Sequence, residues 1–262
     1  MYSDALLLLA LPVMLGLLAY LIHQVRSARA VINELRSEMP HLLRKEAAGL
    51  LAQLEDLASL RDRLDLRKGL PYTKDWSAAP DFLRIIAEHC LEARPGTIVE
   101  CSSGLTTLVL ARCCQINGHG RVFSLENGAR FAEKSEAELR RYGLGDHAEV
   151  LHAPLQPHVV DGHQYSWYAT EDLLPQSIEM LVIDGPPGFL QQHARYPALP
   201  LLFERLTEGC TVFLDDAARA DEVEIVELWQ RRFPELEHEF VNTERGCSIL
   251  TVRKSGSRAD HT

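Results

Sequence analysis

The sequence predicts a doubly wound α/β domain, a mostly parallel sheet with helices on both faces, closed by an antiparallel hairpin and preceded by two helical segments of different character. Three observations predict it. Helix-length and strand-length segments alternate from Pro80 onward. The segments "TIVEC" (97–101), "MLVID" (180–184) and "TVFLD" (211–215) are continuous apolar runs, as expected of strands covered on both faces. Near the end, "EHEFVNT" and "CSILTVRK" flank "ERG" and read as two antiparallel strands.

In chain order, "ALLLLALPVMLGLLAYLI", Ala5 to Ile22, is an uninterrupted apolar stretch. As a helix it spans about 27 Å, close to the hydrocarbon thickness of a bilayer. The start "MYSD" lacks a basic region and "AYLIHQ" lacks a small-residue cleavage site, so residues 1–23 read as a retained transmembrane anchor rather than a signal peptide. Arg26, Arg29 and Arg36 follow the span and only Asp4 precedes it. The positive-inside bias therefore places the rest of the chain on the cytoplasmic side of a cytoplasmic membrane. Residues 24–68 are charged and helical in pattern, with Pro40 expected to divide them. Leu43, Ala47, Leu50, Leu54 and Leu57 alternate in steps of four and three, whereas Leu60 and Leu64 break that register. A stalk pairing with a second copy of the chain and a helix packed on its own domain both remain open.

"KGLPYTKDW" (68–76) reads as the linker into a domain spanning residues 69–254. Within it the expected elements are a helix 80–93, strand 97–101, helix 105–116, strand 121–126, helix 129–143 and strand 147–152. A strand 179–184, helix 190–207, strand 210–215, helix 219–233 and the hairpin follow. "SGSRADHT" (255–262) is a polar tail expected to be disordered. The formal net charge of -10 argues against a nucleic-acid partner, because phosphate backbones are bound through clustered Lys and Arg. Six cysteines without a CxxC pair lie mostly in apolar segments and read as buried thiols.

Ligands in such sheets lie beyond the carboxyl ends of the strands. Those ends are acidic: Glu100, Glu126, Asp184, and the pair Asp215 and Asp216. GxGxxG is absent, and no Walker lysine follows Gly104. Glu100 beside a helix N-terminus disfavours a pyrophosphate and suits a cationic ligand, such as the ammonium and sulfonium of S-adenosylmethionine. Glu126, twenty-two residues after Gly104, stands at the distance of an acid that binds ribose hydroxyls, a role shared with NAD sites. A nucleotide-dependent oxidoreductase is thus an alternative.

"PDFLRIIAEHCLEARPGTIVECSSGLTTLVLA", "GRVFSLE", "EMLVIDGPPG", "RYPALPLL", "GCTVFLDDAARADE" and "ERGCSILTVRK" resemble, in order, a class I S-adenosylmethionine-dependent methyltransferase of the small-domain group related to catechol-type O-methyltransferases. The resemblance covers about residues 70–254 and implies a Rossmann-like fold with S-adenosylmethionine as cofactor. It implies that Glu100, Ser102 and Gly104 form the methionine-binding loop, with Ser102 where a glycine is usual, and that Glu126 binds the ribose. Thr106 and Thr107, at a helix start, could bind the cofactor carboxylate or cap the helix. Asp184 ends its strand beside the implied methyl-transfer point, as a catalytic and cofactor-side residue. In metal-dependent relatives three positions like Asp184, Asp215 and Asp216 hold Mg²⁺; here Asp216 replaces an Asn and no lysine base follows Asp184, so loop capping and pairing with Arg195 or Arg219 is the alternative role for these acids. The loop "GPPG" lacks the aromatic of amino-group methyltransferases, which favours transfer to oxygen. His163 and His193 are spare candidates for a general base, and His152 reads as structural. The acceptor is a small molecule, lipid-linked or a glycan, with the anchor favouring one near the membrane. A membrane-tethered scaffold that keeps the fold without turnover is the other alternative.

Overall fold

The computed structural model describes residues 2–66, 68–71, 77–170 and 173–253, with side chains from Pro12 onward. The chain divides into two compact units, Met1–Ala52 and Gln53–Thr262. Helix α1 runs unbroken over Tyr2–Arg63, through both Pro12 and Pro40. The division expected at Pro40 does not occur. A proline removes one backbone donor from a helix, and here good helix formers follow it in "LLRKEAAGLLAQL".

Every residue from Pro12 to Ala52 is exposed. Among the described residues no helix is long and apolar enough to cross a membrane. The side chains of residues 5–11, which open the expected span, lie outside the described residues, as do residues 72–76 of the linker and the tail 255–262. Leu43, Leu50 and Leu54 are exposed, while Leu60 and Leu64 join the core of the second unit. The helix engages its own domain from Gln53 and Asp56, which bond Asp81 and Arg84, and buries Leu60 and Leu64 there.

That unit is built on a seven-stranded sheet. In chain order its elements are α2 (Pro80–Ala93), β1 (Thr97–Cys101), α3 (Leu105–Asn117), β2 (Arg121–Glu126), α4 (Ala129–Tyr142) and β3 (Ala148–His152). Then come β4 (Leu155–Val160), β5 (His163–Tyr168), β6 (Ile178–Ile183), α5 (Ala198–Leu202), β7 (Leu206–Leu214), α6 (Ala220–Arg232), β8 (Leu236–Val241) and β9 (Cys247–Val252). The sheet order is β3-β2-β1-β6-β7-β9-β8, parallel from β3 to β7 and antiparallel through β9 and β8. The strand order reverses at β1 and β6, the switch point where such sheets open a crevice. One face buries Phe82, Ile86, Leu108 and Phe213; the other buries Trp167, Ile183, Leu199 and Trp229. All six cysteines are buried and free.

Two expectations need correction. The helix expected over 190–207 is instead a 3₁₀ turn at Gly188–Leu190, a run of turns, and the five-residue α5 with a second 3₁₀ turn at Phe203–Arg205. Pro197 and Pro200 remove the donors a long helix needs. The hairpin β4–β5 was not foreseen. It pairs Val160 with His163 around a two-residue Asp161–Gly162 turn, and Asp-Gly between strand-like runs is a strong hairpin signal.

Candidate active site

The carboxyl ends of β1 and β2 carry the first two predicted acids, and the fold treats them differently. Glu100 is completely buried. Its carboxylate accepts hydrogen bonds from the hydroxyls of Thr106, Thr107 (2.6 Å) and Ser124 (2.8 Å). Burial, together with the negative charge of Glu126, pushes its pKa up to about 7 against the pull of those three hydroxyls. Glu100 and Thr106 line neither cavity described below. The Thr106 hydroxyl is spent on Glu100, so this acid fixes the start of α3 from within.

Glu126 is also buried, but its carboxylate borders a cavity of about 290 Å³. One oxygen accepts from the Ser103 amide (3.2 Å) and hydroxyl (2.9 Å), the other from the Gly128 amide (2.8 Å). A carboxylate has about four acceptor positions, so about one stays open. The Ser103 hydroxyl also lies 2.9 Å from that of Ser135, to which it can turn and release another. The cavity is closed by Ser102, Gly104, Asn127, Phe131 and Phe189. Gly104 caps α3 at φ +155°, a conformation open to glycine. Ser102 sits at φ +101°, which is strained for a side-chain-bearing residue. Small side chains, a backbone turned toward the cavity and an acid beside it can hold a ribose and an amino-acid chain.

Across the switch point, a second cavity of about 700 Å³ lies beyond β6 and β7 and shares Ser102, Pro187 and Phe189 with the first. Asp184 and Asp215 are aligned by continuation of the ladders: the Asp184 amide donates to Cys101 (3.1 Å) and that of Asp215 to Ile183 (3.1 Å). Each of Asp184, Asp215 and Asp216 offers an oxygen within 4.8 Å of the others. The three acids predicted together are together.

The pairing with Arg195 and Arg219 that the sequence offers as the alternative to a metal is present. The Arg195 guanidinium, nearly inaccessible, reaches Asp216 at 2.8 Å, Asp184 at 3.5 Å and Glu222 at 3.8 Å, and donates to the Asp215 carbonyl at 2.7 Å. Arg219 holds Asp216 at 2.9 Å. Burial raises the Asp184 pKa to about 7 despite Arg195, and burial with the charges of Asp184 and Asp216 raises that of Asp215 to about 8. Both carboxylate oxygens of Asp215, and one each of Asp216 and Glu222, are buried without a hydrogen-bond partner among the described residues. Four acids facing two arginines leave a deficit of positive charge, and the partnerless oxygens are hard donors. These residues fit a divalent cation such as Mg²⁺.

His163 and His193 line neither cavity: His163 leans on the Asp161 carbonyl (3.1 Å), and His193 on Glu224 (2.8 Å). His152 is exposed at the end of β3, opposite Glu126 in register.

Residues 99–217 match the family model described as a methyltransferase domain. No curated protein matches the sequence. Among solved structures the chain is similar to an O-methyltransferase from Bacillus cereus in complex with S-adenosylhomocysteine, at 15% identity and TM-score 0.54, covering 77% of this chain and 91% of that one. It is similar to an O-methyltransferase of tomaymycin synthesis from Streptomyces achromogenes, in complex with S-adenosylmethionine, at 14% identity and TM-score 0.52, covering 77% and 90%. A methyltransferase from Podospora anserina bound to S-adenosylhomocysteine gives 12% identity and TM-score 0.54, covering 76% and 88%. Residues 99–217 are thus similar to a methyltransferase domain, and the fold around them is shared with these solved methyltransferases.

Proposed function

We propose that this methyltransferase domain uses S-adenosylmethionine to methylate an oxygen of a small-molecule acceptor. One observation carries the reading: a cavity bordered by the glycine loop and Glu126 meets a larger, charged chamber at Ser102, Pro187 and Phe189. Donor and acceptor seated on either side of that junction are in line for displacement, and holding them there accounts for much of the acceleration. Bound in the smaller cavity, S-adenosylmethionine supplies a methyl group on a sulfonium. Glu126 and the Ser103 hydroxyl hold the ribose hydroxyls, and the backbone of Ser102 to Gly104 faces the methionine portion. With no cation bound, Asp184, which lines the larger cavity, is placed to receive the hydroxyl proton of the acceptor, and burial raises its pKa to about 7.

Asp184, Asp215 and Asp216 hold a divalent cation in this reading, which when bound supplies Lewis-acid polarisation of the acceptor hydroxyl. Residues 1–23 anchor the domain on the cytoplasmic face of a membrane, bringing lipid-linked or glycan acceptors within reach. The apolar run 5–22 and the arginines after it support this. The exposed Leu43, Leu50 and Leu54 support a second copy of the chain along that face of α1.

Isothermal titration of the full chain with S-adenosylmethionine tests the central claim. Saturable binding is expected, weakened about 10–100-fold by Glu126→Gln, which corresponds to about 1.4–2.8 kcal/mol. An intact, folded protein that does not bind the compound overturns the reading.

A further inference from the structure

We infer that the acceptor carries an anionic group, a carboxylate or a phosphate, beside the hydroxyl that is methylated, and that Arg245 binds it. The inference rests on the proposed function, because it assigns the larger cavity to the acceptor.

Seven charged residues line that chamber: Asp184, Arg195, Asp216, Arg219, Asp221, Glu222 and Arg245. Six are engaged within it. Arg195 reaches Asp184, Asp216 and Glu222, and Arg219 reaches Asp216. Asp221 accepts from the His193 amide at 2.8 Å. Arg245 makes no hydrogen bond or ion pair through its side chain among the described residues, and is felt only at a distance, as a charge that lowers the Asp184 pKa. A half-buried guanidinium keeps five donors and a full charge. In a lined cavity, such a group without a partner is placed for a ligand.

Its backbone is fixed rather than floppy. Arg245 lies in the turn between β8 and β9, and that turn is docked on the loop after β7. The Ala217 amide donates to the Gly246 carbonyl (2.9 Å) and the Ala218 amide to that of Arg245 (3.0 Å). Gly246 sits at φ +78°, and a Cβ there would lie 2.5 Å from the Ala218 nitrogen. The contact requires glycine, so the "ERG" turn holds Arg245 over the chamber at a set height. Asp184, Asp216 and Glu222 each lie within 4 Å of Arg195 and Asp221 accepts from the His193 amide, whereas the Arg245 guanidinium lines the chamber with no such contact among the described residues. Phe189, 78% exposed at the junction, offers an apolar face to the rest of the acceptor.

The test uses the full chain, with and without saturating S-adenosylhomocysteine. The probes are two matched pairs: 3,4-dihydroxybenzoate with its methyl ester, and glucuronate with glucose. Binding is measured by titration for the native protein, Arg245→Gln and Arg245→Lys. The expected result is that at least one acid binds tenfold or more tightly than its neutral partner, that Arg245→Gln removes the preference, and that Arg245→Lys restores part of it. Neutral partners binding as well as the acids, neither acid binding at all, or a preference that survives in Arg245→Gln overturns the inference. Failure of the function itself reads differently: S-adenosylhomocysteine does not bind, while the acid titration of the unloaded chamber still reports on Arg245.

Discussion

The two sides of the switch point handle buried negative charge in opposite ways. At β1 and β2, the hydrogen bonds to Glu100 and Glu126 come from hydroxyls and amides. At β6 and β7, Asp184, Asp216 and Glu222 share Arg195, Asp216 also meets Arg219, and several oxygens of these acids and of Asp215 have no donor among the described residues. Neutral donors make a carboxylate a fixed part of the framework, with about one acceptor position left open at Glu126. Guanidinium pairing with oxygens left over holds charge in the interior without satisfying it. The proposed function uses this difference, seating the cofactor on the β1–β2 side and the acceptor on the β6–β7 side.

Breaking the contrast at its strongest point means removing Arg195. Arg195→Met leaves Asp184, Asp216 and Glu222 without their shared cation, and urea unfolding is expected to show a loss of about 3–5 kcal/mol, the cost of stranding a buried charge. The corresponding test on the other side is pH. Glu100 has a folded pKa of about 7 against an ordinary 4.5, so the native state keeps a proton that the unfolded chain has lost. Its contribution is complete below about pH 4.5 and is lost as pH rises through about 7; Asp184 and Asp215, raised likewise, act in the same direction. Unfolding free energy is expected to fall by a few kcal/mol from pH 5.5 to pH 8, because each tenfold difference in proton affinity between the folded and unfolded chain is worth about 1.4 kcal/mol. Glu100→Gln should flatten that slope. A protein equally stable at both values would show that the hydroxyls fully compensate burial.

Asp215→Asn separates an unfinished site from a merely strained one. At pH 9 it should stabilise the protein by about 1–2 kcal/mol, since a partnerless carboxylate is replaced by a neutral amide. Mg²⁺ is expected to raise the melting temperature of the native chain, and Asp215→Asn should abolish that rise. The smallest expected effect is at the junction itself. Ser102→Gly releases a positive φ and should stabilise by about 0.5–1 kcal/mol, the relief of strain less the entropy of an added glycine.

The seven-stranded sheet was legible because its strands are short apolar runs at regular intervals, a pattern that survives any packing detail. The expected helix over 190–207 failed because its apolar residues, Ala198, Leu199 and Leu202, are as compatible with a prolyl turn as with a helix. The β4–β5 hairpin carried a readable signal at Asp161–Gly162 that strand alternation alone did not bring out. At the site, sequence position put Glu100 and Glu126 in one class, since both end a parallel strand. Which of them borders a cavity depends on where Thr106, Thr107 and Ser124 point, and residues so far apart in sequence meet only after the sheet has formed.

That acids collect along one rim was settled by residue order, because a parallel sheet delivers every strand end to the same edge and "TIVE", "FSLE", "LVID" and "FLDD" each finish on a carboxylate. What becomes of each acid was left to the packing of the folded chain. A carboxylate's charge, reach and reactivity are set by the donors packed within about 4 Å of it, and many of those come from residues distant in sequence, Ser103, Ser124 and Arg195.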